Sequence, residues 1–164
     1  MKRFQFCPLC AKPLEARDLV GVRRRACPDE RCGYILYDNP TPVVGALVEY
    51  GDRVVLVQNK GWPASWFGLL TGFLERGESA EDGVLREIKE ETGLDGRIIR
   101  LLGVYPFFAM NQILIIFHVK AEGVLTIGDE LAAYKLVPPD ELKPWPSGTG
   151  QAVSDWLASR RPNS

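Results

Sequence analysis

The stretch from Gly72 to Leu94, GFLERGESAEDGVLREIKEETGL, constrains the fold of this 164-residue chain more than any other segment. It predicts a helix that begins after Ser79 and ends at Gly93. Ser79 is followed by Asp82 three residues later, which is a variant of the pair that caps helix N-termini. Glycine in turn commonly terminates a helix.

Three glutamates share one face of this predicted helix. At about 100° per residue, Glu87, Glu90 and Glu91 fall within an arc of roughly 100°. Like charges at these spacings repel by a few tenths of a kcal/mol per pair, so a bound cation is expected to neutralise them. Oxygen ligands favour Mg²⁺ or Mn²⁺, which keep waters and meet substrate phosphates. The alternative is a solvated acidic face with no ligand.

The whole stretch matches the Nudix box, G-x5-E-x7-R-E-U-x-E-E-x-G-U, in which U is a bulky aliphatic residue. All nine positions fit: Gly72, Glu78, Arg86, Glu87, Ile88, Glu90, Glu91, Gly93 and Leu94. The chain therefore resembles the Nudix hydrolases from about Asn39 to Asp140. The resemblance implies an α/β/α sandwich with a mixed sheet. It also implies cleavage between the two phosphates of a nucleoside diphosphate derivative, giving two monophosphate products.

The resemblance also implies roles for single residues. Glu87 and Glu91 would ligate the catalytic ions, with Glu90 as a further ligand or close support and the backbone carbonyl of Thr71 completing the set. Two ions of this kind lower the pKa of a bound water and neutralise phosphate oxygens. Many relatives enter the box with Pro-Gly-Gly or Pro-Ala-Gly, whereas this chain has Leu70-Thr71-Gly72.

Two further carboxylates are predicted to support the site. Glu78 would pair with Arg86 and orient the helix. Glu130, in Gly128-Asp129-Glu130 ahead of a short strand, resembles the catalytic acid or ligand that the family often supplies outside the box. The alternative for Glu130 is an exposed loop carboxylate.

The four cysteines indicate a second metal site. Cys7, Cys10, Cys27 and Cys32 give C-x2-C, sixteen intervening residues and C-x4-C, a spacing typical of structural zinc sites. A segment of about 35 residues has too little apolar core to fold unaided, so bound Zn²⁺ would stabilise it. Two disulfides and a thioredoxin-like role are the less favoured alternatives. We therefore predict a zinc ribbon over residues 1–37 and a Nudix domain over residues 38–164.

Charge and hydropathy narrow the classes of partner. The formal net charge is −1, which gives no electrostatic reason to expect nucleic acid or an anionic membrane as partner. The chain has no run of 18 apolar residues and its N-terminus has no apolar signal region, so a cytoplasmic location is expected. Arginines cluster between the cysteine pairs, at Arg17 and at residues 23–25. They would be a solvated hairpin tip or, alternatively, a contact for an anion or a partner.

Alternating apolar residues predict the strands of a mixed sheet. The expected strands are Val43 to Tyr50, Val54 to Gln58, Ile98 to Val104, Gln112 to Ala121 and Tyr134 to Val137, with a loop over residues 59–68 and a closing helix over residues 150–159. His118, the only histidine, lies in a predicted strand and is expected to be structural, with no partner in view for catalysis or for zinc binding.

Substrate choice is less constrained by the sequence. A zinc ribbon before a Nudix domain resembles the NADH pyrophosphatases, but these carry Ser-Gln-Pro-Trp where this chain has Tyr105-Pro106-Phe107-Phe108. A closer likeness is to members that hydrolyse FAD and ADP-ribose. Phe107, Phe108 and Trp66 are candidates to stack an adenine or flavin ring, although Trp66 could equally be core.

Two other function classes remain open. One is a different Nudix activity, either house-cleaning hydrolysis of nucleoside triphosphates or removal of RNA 5′ diphosphates, although the low net charge argues against long RNA. The other is a non-catalytic nucleotide-sensing module. Members of the family are commonly homodimers, so the resemblance makes a homodimer a further expectation.

Overall fold

The computed structural model describes residues 4–160 and divides the chain into two compact units, Met1–Asn39 and Pro40–Ser164. The first unit contains a three-stranded antiparallel sheet of β1 (Glu15–Leu19), β2 (Val22–Ala26) and β3 (Ile35–Leu36). Its small core includes buried Cys7, Leu14 and Cys27.

The second unit is built on a six-stranded mixed sheet. Its strands and helices are β4 (Thr41–Tyr50), β5 (Arg53–Asn59), β6 (Leu70–Phe73), α1 (Ala80–Thr92), β7 (Asp95–Phe107), β8 (Gln112–Glu122), β9 (Leu131–Val137) and α2 (Gly150–Arg160). The strand order is β7-β8-β4-β5-β9, with β6 paired to β4. Among the described strands of this sheet, only β4 and β8 pair in parallel, and the other pairings are antiparallel.

One helix covers each face of this sheet. On one face, Val84 and Ile88 of α1 pack in a cluster with Val44, Val48 and Phe117. On the other face, Val153 and Trp156 of α2 pack against residues that alternate with these along the same strands, among them Val43, Leu47 and Ile116. The predicted α/β/α sandwich is therefore confirmed. Within residues 4–160, neither helix is long and apolar enough to cross a membrane.

The local predictions for α1 are confirmed at both ends. The Ser79 side chain accepts a hydrogen bond from the backbone N–H of Asp82, and Gly93 ends the helix with a φ of 69° and an N–H bond to the Lys89 carbonyl. Sequence reasoning missed β6, which begins two residues after the predicted loop of residues 59–68 and runs into the start of the box. Its four residues, LTGF, carry too little periodicity to predict a strand, and pairing with Val43–Ala46 of β4 makes them one.

Gly93 fixes both the end of α1 and the path of the chain beside it. A Cβ added there would lie 2.6 Å from Oγ1 of Thr126, whose N–H donates to the Thr92 carbonyl. Gly51 has a similar φ of 64° but nothing within 4 Å of the same added atom. The two glycines therefore separate the cost of the backbone conformation from the cost of the close contact.

We expect Gly93→Ala to lower the free energy of unfolding by about 2–3 kcal/mol. Gly51→Ala should cost only about 1 kcal/mol, the penalty for a left-handed alanine. Urea denaturation of both variants at matched pH measures the difference. Equal destabilisation would show that Thr126 does not press on this turn.

Candidate active site

The candidate active site centres on a buried carboxylate, that of Glu91. The residue is 6% exposed, and its Oε2 has no hydrogen-bond partner among the described residues. Burial raises the pKa of Glu91 to about 7, and the nearby charges of Glu87, Glu130 and Glu90 contribute to the rise. A buried carboxylate oxygen without a donor is costly unless a cation or proton meets it.

Glu87 lies one turn earlier in α1, and its carboxylate occupies the space that a side chain at position 72 would need. A Cβ built on Gly72 would fall 1.8 Å from Cδ of Glu87, so only glycine lets this side chain rest against β6. Burial raises the pKa of Glu87, and the Arg86 guanidinium partly offsets that rise. The glycine of the box therefore positions a carboxylate, a role that only the tertiary contact reveals.

Arg86 holds the carboxylates on its side of the helix. Its guanidinium donates to Glu78 at 2.7 Å, to Glu87 at 2.9 Å and to Glu90 at 3.0 Å, and also to the Phe73 carbonyl at 3.1 Å. Hydrogen bonding to Arg86 lowers the pKa of Glu78, and a hydrogen bond from the backbone N–H of Glu75 lowers it further. Arg86 thus ties α1 to the loop before it and to the end of β6.

Glu130 reaches this cluster through the segment that precedes β9. The Gly128 N–H donates to the Glu91 carbonyl at 2.8 Å, and the Lys60 N–H donates to the Glu130 carbonyl at 2.9 Å. A Cβ on Gly128 would lie only 2.7 Å from the Glu90 carbonyl oxygen. The segment can therefore lie along α1 because residue 128 is glycine, and the Glu130 charge is close enough to raise the pKa values of Glu87 and Glu91.

The donor set fits a hard divalent cation. Arg86 bonds to three carboxylates, and Glu91 and Glu130 bring two more, which leaves an excess of negative charge beside the unpartnered oxygen of Glu91. Oxygen-only ligands of this kind suit Mg²⁺ or Mn²⁺. Thr71 pairs with Gly45 of β4. It directly precedes Gly72, against which the Glu87 carboxylate rests.

The three aromatic candidates differ in exposure, and Phe107 lies away from the carboxylates. Phe107 packs against the core on the α2 face, whereas the carboxylates belong to α1 on the opposite face. Phe108 is 87% exposed and Trp66 is 61% exposed, so Trp66 is not core. Near Phe107, a surface cleft of about 450 Å³ is lined by Pro106, Trp145, Gly148, Gln151 and neighbouring residues of the segment before α2.

His118 has partners that the sequence did not reveal. Its Nε2 lies 2.6 Å from an oxygen of Glu49, whose other oxygen accepts from Arg160 at 3.0 Å. The ring meets Trp156 edge-on. These contacts join β8, β4 and the end of α2, which agrees with the expectation of a structural role for His118.

The four cysteines converge within the first unit. Their Sγ atoms all lie within 4.8 Å of one another, with Cys7 and Cys32 at 3.6 Å and Cys10 and Cys27 at 3.4 Å. All four are free thiols. Four thiolates around a zinc ion at about 2.3 Å would lie about 3.8 Å apart, close to these separations. The cluster can therefore hold zinc.

The four thiols also affect one another's pKa values. Burial raises the pKa of Cys7, but backbone hydrogen bonds at Leu9 and Cys10, together with the neighbouring thiols of Cys32 and Cys10, outweigh burial and lower the pKa to about 7. The pKa of Cys32 rises to about 12, because burial and the neighbouring thiols outweigh its backbone hydrogen bond at Tyr34. Once one thiolate forms, the others resist ionisation unless a cation is present.

Comparison with known proteins identifies the family. A family model described as "NUDIX domain" matches residues 39–156. The chain is 27% identical over 165 residues to the NAD-capped RNA hydrolase NudC of Pseudomonas putida KT2440, covering 98% of this chain and 58% of that protein. It is 44% identical over 73 residues to the ADP-ribose pyrophosphatase of Methanocaldococcus jannaschii, covering 44% of this chain and 43% of that protein.

A solved structure agrees over nearly the whole length. The crystal structure of a NUDIX hydrolase from Nitrosomonas europaea superposes with a TM-score of 0.79 at 24% identity, covering 96% of this chain and 92% of that one, and it supports the fold. The chain spans about three fifths of the P. putida relative and less than half of the archaeal one. With the family model matching most of its length and its box intact, the chain belongs to the NUDIX family.

Proposed function

We propose that this protein is a metal-dependent pyrophosphatase that hydrolyses the diphosphate linkage of a nucleoside diphosphate derivative. The observation that carries the proposal is the buried, unpartnered carboxylate oxygen of Glu91 beside Glu87 and Glu130. Arg86 neutralises this carboxylate cluster only in part, so a cation bound there would stabilise the fold and supply charge for the reaction. The names of the two relatives, one acting on NAD-capped RNA and one on ADP-ribose, support a substrate of this class.

Glu87, Glu91 and Glu90 would hold Mg²⁺ or Mn²⁺, with the Thr71 carbonyl as a further candidate. The ions would supply electrophilic charge at the diphosphate and lower the pKa of a water. Glu130, whose carboxylate approaches the same cluster, is the candidate to accept the proton of that water. Arg86 and Glu78 would keep the α1 carboxylates oriented rather than touch substrate.

The substrate ring is proposed to lie on aromatic surface, with Phe107, Phe108 and Trp66 as candidates. Phe108 and Trp66 are exposed, as a stacking partner must be. Phe107 packs on the α2 face of the sheet, opposite the carboxylates, and borders the cleft before α2, so the structure supports it least of the three. A cytoplasmic location and a homodimer remain predictions.

A nucleotide-sensing module without catalysis is the alternative. The observation against it is that every ionisable position of the box is present and the carboxylates of the box lie together. Catalytic assay of single-residue variants separates the two functions.

Glu91→Gln should lower kcat by a factor of roughly 10³ or more, because the ion that activates water loses a charged ligand. Glu81→Gln removes a carboxylate from the exposed first turn of the same helix and should leave kcat within about twofold. Product chromatography with Mg²⁺ and with Mn²⁺ measures both variants. A Glu91→Gln enzyme that kept most of its activity on every substrate would contradict the assignment.

The pH dependence of stability gives an independent readout of the same residue. The folded-state pKa of Glu91, about 7, lies above its ordinary value of 4.5, so the metal-free fold favours the protonated form. Metal-free protein should therefore lose about 2–3 kcal/mol of stability as the pH rises from 4.5 through 7. Glu91→Gln should remove most of that loss, and Mg²⁺ should offset it in the wild type.

The cysteine cluster is proposed to hold one structural Zn²⁺. Elemental analysis of protein purified under reducing conditions should find about one zinc per chain. A strong chelator should raise amide hydrogen exchange across residues 4–39 and leave β4 to α2 protected, since the two units have separate cores. Two disulfides and no metal in reduced protein would overturn this assignment.

The preferred substrates should be FAD and ADP-ribose, ahead of NADH. The ions and carboxylates act on the diphosphate that all three share, so they give rate without selectivity. Selectivity must come from ring stacking, worth about 0.5–1.5 kcal/mol or roughly tenfold, so preferences should be modest. Values of kcat/KM for these compounds and a nucleoside triphosphate test the order. A hundredfold preference for the triphosphate would indicate house-cleaning, and NADH in first place would refute the order.

A further inference from the structure

The net charge of −1 conceals an asymmetry between the two units. Residues 1–39 contain eight Lys and Arg against five Asp and Glu, whereas residues 40–164 contain twelve against sixteen. The excess of positive charge is concentrated in the β1–β2 hairpin, where four arginines face two acidic residues over residues 15–26. The net charge of the whole chain therefore does not describe the surface that this hairpin presents.

Two of these arginines lie directly opposite each other. The antiparallel register pairs Arg17 of β1 with Arg24 of β2, so both side chains leave the same face of the sheet. Like charges in this position repel, and in the described part of the chain neither arginine has an ion pair with a carboxylate. Each guanidinium instead donates one hydrogen bond to a carbonyl: Arg17 to Pro28 at 3.1 Å and Arg24 to Tyr37 at 3.1 Å. Most of their N–H donors remain for a ligand.

An aromatic ring extends this surface. The Arg24 guanidinium lies 4.8 Å from the centre of the Tyr37 ring, which is 54% exposed. Stacking fixes the plane of the guanidinium, which limits the conformational freedom it loses when it binds an anion. Arg17, Arg24 and Tyr37 together form what we call the arginine face.

We propose that the arginine face binds single-stranded nucleic acid. Paired guanidinium groups recognise phosphodiester oxygens bidentately, and an exposed ring beside them offers a platform for a base. A lipid surface explains the arginines but not the ordered ring held against one of them. This proposal goes beyond the proposed hydrolase activity and does not depend on it.

The test is fluorescence anisotropy of a labelled twelve-nucleotide adenylate RNA titrated with the full zinc-loaded chain over a series of salt concentrations. Saturable binding should weaken as salt rises. The double variant Arg17→Gln/Arg24→Gln should weaken binding at least tenfold at low salt. It should also reduce the slope of log Kd against log salt by about 1.4, or about 0.7 for each phosphate that is no longer neutralised. Tyr37→Ala should weaken binding fivefold or more, and Tyr37→Phe should restore it.

Arg23→Gln is the matched control. It removes the same charge from the neighbouring position of β2, whose side chain leaves the other face of the sheet in register with Asp18. It should change affinity by less than twofold, whereas the single variant Arg24→Gln should weaken binding at least threefold. If it weakens binding as much as Arg24→Gln, diffuse charge and not the arginine face binds RNA, and the proposal fails.

Other outcomes also decide the question. Absence of saturable RNA binding at about 50 mM salt overturns the proposal, as does binding only to vesicles containing anionic phosphatidylserine. If the double variant loses zinc or unfolds, Arg17→Lys/Arg24→Lys keeps the charge and should still weaken RNA binding severalfold, because ammonium groups cannot form the planar fork. Hydrolysis of ADP-ribose by these variants should be unchanged, so failure here is distinguishable from failure of the proposed function.

Discussion

Mutual repulsion among the carboxylates of α1 and its neighbours is the constraint on which the rest of the structure depends. Burial, together with the approach of Glu87, Glu130 and Glu90, raises the pKa of Glu91 to about 7. Arg86 relieves part of this repulsion by bonding to Glu87 and Glu90, while Glu91 stays buried with one oxygen unpartnered. A fold that keeps such a charge out of water without a partner loses stability unless something binds there. The same arrangement that weakens the metal-free protein therefore prepares it to bind a cation.

Two glycines make that arrangement sterically possible. Gly72 leaves room for the Glu87 carboxylate against β6, and Gly128 lets the chain run along α1 so that Glu130 reaches the cluster. At neither position does the backbone need an unusual φ; what matters is the space a side chain would occupy. Substitution at either glycine should act first on the positions of the carboxylates, because neither residue lies in the core that α1 and the sheet share.

The two units of the chain solve the problem of stability differently. The sheet and helices of residues 40–164 bury two large apolar clusters, one on each face. Among residues 4–39, only a few side chains of the first unit are buried, two of them cysteines, around a cluster of four thiols. In that unit metal binding would replace the missing apolar burial, which leaves its exposed strands available for contacts such as those of the arginine face.

The sequence by itself determined α1, its caps and the chemistry of its acidic face, because helical periodicity and capping depend on residues within a few positions of one another. It also determined that the four cysteines form one site, since ligand pairs are recognisable from local spacing. Only the tertiary structure decided that LTGF is a strand, that Glu91 is the buried carboxylate and Glu90 the exposed one, and that His118 bonds to Glu49. Each of these depends on contacts between residues far apart in the chain, and the two ends of such a contact carry no shared local pattern. The arginine face belongs to the same class: the sequence places Arg17 and Arg24 seven residues apart, and the strand register places them opposite each other.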